Sequence, residues 1–86
     1  MPEICRFYGI AIKMFFEDHN PPHFHAVYGE HEALIEIETL GIFAGRLPPR
    51  ALSLVVEWAS LHQKELFDLW RDARDHKPLG QIDPLK

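Results

Sequence analysis

Three of the chain's six histidines fall within seven residues, His19-Asn20-Pro21-Pro22-His23-Phe24-His25. Imidazole is the side chain whose unperturbed titration lies nearest neutral pH, and it is the commonest metal ligand. His23 and His25 are two apart, so on a strand both rings leave the same face and can share one ion. His19, across a backbone stiffened by two prolines, supplies a third ligand. Three histidines with an open position make a catalytic-zinc arrangement, and His31, Glu30 or Asp18 would complete or tune it. The expected metal ligands are therefore His19, His23 and His25, with a divalent metal as the candidate cofactor.

The same residues also suit metal-free acid–base chemistry. That chemistry needs a proton donor and acceptor side by side, and a cation for charge developing in the transition state. His23 and His25 are the acid and base, Arg6, Lys13 or Arg46 the cation, and Tyr28 a group to position a phosphate. This is the minimum kit for a metal-independent ribonuclease. A plainer reading stands beside both. Asp18-His19-Asn20-Pro21 is good turn chemistry, in which a histidine merely bonds a loop carbonyl. The chain has no Gly-rich phosphate loop, Ser elbow or His-Glu-x-x-His string. Cys5 reads as a small buried apolar residue.

The elements that must hold these groups follow from periodicity. Ile10, Ile12, Met14 and Phe16 alternate with mixed residues, which predicts a strand with one buried face. Ile4 to Tyr8 is also strand-like, with Gly9 at a turn or bulge between the two. After the prolines, Phe24, Ala26 and Tyr28 alternate with His23, His25 and Val27. Tyr28-Gly29-Glu30-His31 reads as a tight hairpin turn. Ala33, Ile35 and Ile37 then face inward, opposite Glu32, Glu36 and Glu38, and Leu34 interrupts the polar side. A run from Ile42 to Leu47 is a candidate further strand.

The period changes in the second half. Leu52, Val55, Val56, Ala59, Leu66, Leu69, Trp70 and Ala73 recur at three- and four-residue steps, the signature of an amphipathic helix. Pro48-Pro49 sits where prolines are tolerated, at a helix start. The stretch from Pro49 to Asp75 is one rod, or two pieces bending near Leu61-His62. Trp58 and Leu61 lie off the stripe and either widen it or meet a partner. The expectation is an α+β fold: an antiparallel meander of about four strands against one long C-terminal helix, in a single domain over residues 1–86. The other sheet face would show His23, His25, Lys13 and the glutamates to solvent. The isomer at Pro21 and Pro22 is not given by the sequence; cis occurs at about 5–6% of X–Pro bonds.

Bulk properties narrow the function classes. The chain has 86 residues, 47% hydrophobic and 26% charged, with a formal net charge of −4 that becomes +2 if all six histidines are protonated. An acidic total argues against a general nucleic-acid binder, although a local basic patch can hide inside it. One cysteine excludes an internal disulfide and a Cys-rich zinc framework. No apolar run is long enough for a membrane span, and the N-terminus lacks a signal-peptide pattern, which points to the cytoplasm. A core this thin would gain from a partner.

The strings Arg6-Phe7-Tyr8-Gly9-Ile10, Met14, Asp18-His19-Asn20-Pro21-Pro22-His23-Phe24-His25 and Tyr28 resemble a bacterial family of unknown function, DUF4160. Gly45-Arg46-Leu47-Pro48 and Glu57-Trp58-Ala59-Ser60-Leu61-His62 extend the likeness over nearly the whole chain. The resemblance implies a toxin-like component of a type II toxin–antitoxin module, bound by a small cognate antitoxin of the DUF2442 type. It implies no established reaction. An RNA target and self-association into a homodimer stay open beside it, as does a non-catalytic role as a protein-interaction module.

Overall fold

The computed structural model describes residues 3–16 and 19–86. Five strands form one sheet: β1 (Glu3–Phe7), β2 (Ile10–Lys13), β3 (His23–Tyr28), β4 (His31–Glu36) and β5 (Ile42–Gly45). They pair antiparallel in sequence order. The meander expected from the alternating pattern is thus present, with one strand more than the four anticipated. The extra strand is explained at Gly45. Its φ is +72°, and a Cβ there would collide with the Glu32 carbonyl, so only glycine lets β5 run this close to β4.

Two-residue turns set the register. Tyr8 and Gly9 both take positive φ, 49° and 80°, between paired Phe7 and Ile10, the twist that a tight hairpin requires. Gly29-Glu30 joins Tyr28 to His31, which fixes Val27 opposite Glu32 and His25 opposite Leu34. Between β2 and β3 the Asn20–Pro21 peptide is cis.

Of the two forms open to the second half, the one long helix and the two pieces bending near Leu61-His62, the structure has the second: α1 (Pro49–Leu61) and α2 (Gln63–Arg74). The break is at His62, whose dihedrals (−131°, 21°) leave the helical region. Its ring nitrogen Nδ1 lies 2.6 Å from the Glu65 carboxylate, in the first turn of α2. Gln63 then donates to the carbonyls of Ile37 (2.8 Å) and Glu38 (3.2 Å), tying α2 to the chain after β4.

One face of the sheet lies under the helices. Ile4, Ile10, Ile12, Phe24, Ala26, Ala33 and Ile35 meet Ala51, Val55, Trp58, Ala59, Leu66 and Leu69 there. Trp58 belongs to this core rather than to a partner surface. Its ring packs on Phe7 (5.4 Å) and Phe24 (5.9 Å), and its Nε1–H donates to the Asp83 carbonyl at 2.7 Å. The tail is held against β1 as well, by Ile82 N–H to the Ile4 carbonyl at 2.9 Å. Leu61, by contrast, is exposed beside the helix break. Among the described residues, no helix is long and apolar enough to cross a membrane.

Candidate functional site

The register places His23, His25 and Val27 on the sheet face turned away from Phe24 and the helices. Four elements meet at the two imidazoles. His23 and His25 ring centroids are 5.2 Å apart. Phe15, just after β2, meets the His25 ring edge-on at 4.4 Å. Phe43 of β5 meets His23 edge-on at 5.1 Å, and Trp70 of α2 lies 5.3 Å from it. His23 is consequently buried, not shown to solvent as the alternation suggested. His23 opens β3, and there the Trp70 ring of α2 packs against it.

Both rings are oriented by a bond at Nδ1. His23 Nδ1–H donates to the Pro21 carbonyl at 2.7 Å. His25 Nδ1–H donates to the Glu32 carboxylate at 3.0 Å. The His25–Glu32 pair has the form of an oriented general base, a carboxylate holding an imidazole in one tautomer.

The remaining expected site residues divide by position. Lys13 is the register partner of His25 on β2, so it is the cation nearest the imidazoles in the sheet. Arg6 sits one strand further out and is engaged by Glu3, Nη2 to Oε1 at 2.7 Å. That bond holds the Glu3 carboxyl below the usual carboxylate range and raises Arg6. Tyr28 is at the other end of β3 on the helix side, bordering a hollow with Tyr8 and Arg50. Arg46 follows β5 and borders a separate hollow with His31. Tyr28 and Arg46 therefore do not join His23 and His25. His19 is exposed at the start of the corner. Among the described residues, no three His, Cys, Asp or Glu side chains are grouped to hold a metal ion, His19, His23 and His25 included. Asp18 lies outside the described residues.

The sequence reading missed Glu32, Phe15, Phe43 and Trp70 as neighbours of the imidazoles. Glu32 was within reach of it. A two-residue Gly29-Glu30 turn sets residue 27 opposite 32, which leaves Glu32 diagonal to His25 on the same face. Phe43 and Trp70 come from β5 and α2, whose placement no local pattern specifies.

A five-stranded meander backed by two helices, with imidazoles on its other face, defines an α+β domain with one open sheet surface. The family model for a domain of unknown function, DUF4160, matches residues 9–71. The chain belongs to that family, and the matched span includes the whole histidine corner. No curated protein and no solved structure matches the chain.

Proposed function

We propose that the chain is the toxin-like member of a two-protein bacterial module, and that its small cognate partner covers the open face of the sheet. The observation that carries this reading is the composition of that face. The solvated side of a two-layer antiparallel sheet is expected to alternate cleanly to polar residues. Here Phe15, Val27 and Leu34 are half-buried and Phe43 is 43% exposed, all on the side of His23 and His25. Lys13, Glu32 and Glu36 surround them. An apolar, aromatic centre with a charged rim is the anatomy of a protein contact. The resemblance to the toxin-like family adds the partner's type, a small DUF2442-like protein.

The His25–Glu32 pair favours a second use of the same face, acid–base chemistry on a cellular target once the partner leaves. Expression in bacteria tests both uses. The chain alone is expected to slow growth, and its companion to restore it. His25→Ala separates the two uses. If growth inhibition is lost while partner binding persists, the imidazole acts on the target. No growth effect with or without the companion contradicts the toxin-like role.

A further inference from the structure

A cleft of about 600 Å³ lies between α2 and the proline corner, on another side of Trp70 from the sheet-face histidines. Pro22 forms one wall. Lys64, Phe67, Arg71 and Arg74 recur at helical spacing and form the other, with Trp70 at the bottom. Among the described residues lining the cleft the one carboxylate is Asp68, and it is already engaged by both Lys64 (3.5 Å) and Arg71. Among the described residues Arg74 has no carboxylate within ion-pair distance. The lining is thus basic in a chain whose net charge is −4.

Trp70 is only 4% exposed, so its ring floors the cleft while its Nε1 is shut off from solvent. Guanidinium groups beside an aromatic floor call for an anionic oxygen. The volume exceeds what a bare phosphate fills, and Phe67, more than a third exposed, presents a ring face beside the cations. Flat rings next to a positive groove are how unpaired nucleotides are held.

We propose that this cleft binds a nucleotide phosphate, either free or within a single strand. Arg71 and Arg74 take the phosphate, and Phe67 stacks on the base. Apart from Trp70, which also meets His23, the residues lining this cleft are not those of the partner contact on the open sheet face.

The test is equilibrium binding to the full chain, read by tryptophan fluorescence, of inorganic phosphate, a uridine or adenosine monophosphate, and a short single-stranded RNA. The expected result is saturable binding of a nucleotide form, weakened about tenfold or more by Arg74→Glu and largely kept by Arg74→Lys. For the RNA, Arg74→Glu should also lower the salt dependence by about one unit of slope. Equal binding of mononucleotide and RNA assigns a free nucleotide. Binding of RNA alone assigns a strand. Circular dichroism confirms that each variant folds. No binding of any of the three, saturation by inorganic phosphate as tightly as by a nucleotide, or binding unchanged in folded Arg74→Glu overturns the proposal.

Discussion

The side chains at the candidate site derive their chemistry from the groups that hold them. His25 is a generic imidazole until Glu32 fixes its tautomer, and His23 is fixed by a backbone carbonyl two residues away. Two other single residues give sharper tests. Cys5 is buried, and burial pushes its thiol above the ordinary range. The folded chain favours the neutral thiol, so the stability this group contributes is full below the ordinary thiol range and lost as pH rises through it. Native protein at neutral pH should therefore react with a thiol reagent far more slowly than protein in urea. Equal rates in the two states would contradict the burial. At Gly45, positive φ and the nearby Glu32 carbonyl leave no room for a Cβ. Gly45→Ala should cost about 2 kcal/mol or more in a urea titration, through a strained backbone and a displaced β4–β5 ladder. A variant as stable as the parent would show that β5 tolerates a side chain there.

At the scale of elements, much was legible in the sequence. Alternation in Ile10-Ile12-Met14 and in Ala33-Ile35-Ile37 identified both the strands and their buried faces. The helical stripe read in α1 was right at Val55 and Ala59 and missed Ala51 and Trp58. Ala51, Val55, Trp58 and Ala59 face the core, whereas Leu52 and Val56 are only half-buried. Trp58 was ambiguous because an indole at that position can fill a core or a contact equally well. Its burial depends on Phe7 and Phe24, residues far off in sequence. The helix break at His62 carries no glycine or proline to announce it. Tertiary ties, such as Gln63 to the chain after β4, offset the lost helical turn. Trp58 couples the core to the C-terminal tail, and the element account predicts two different losses. Trp58→Ala should destabilise by roughly 3–5 kcal/mol. Trp58→Phe should keep most of the packing and lose the bond to Asp83, costing about 1 kcal/mol. It should also speed hydrogen exchange at the Ile82 amide, which bonds to Ile4. Unchanged exchange there would mean the tail is held without the indole.

At the scale of the whole molecule, two helices can cover only one side of a five-stranded sheet. The tail closes the β1 edge, and the surface carrying Phe15, His25, Leu34 and Phe43 stays open. The sequence pointed to the histidines on this surface because their spacing is local. It did not point to the aromatic ring around them, because that ring is assembled from β2, β5 and α2. Here the central claim can be tested with one substitution. Phe43→Asp places a charge on the open face, at edge strand β5, on a side chain that is already 43% exposed. The decisive measurement is titration calorimetry of the chain with its small cognate protein, alongside the melting temperature of each variant. The account predicts a saturable complex with the parent chain, and none with Phe43→Asp at a melting temperature within a few degrees of the parent's. Undiminished binding by the Phe43→Asp chain would contradict it.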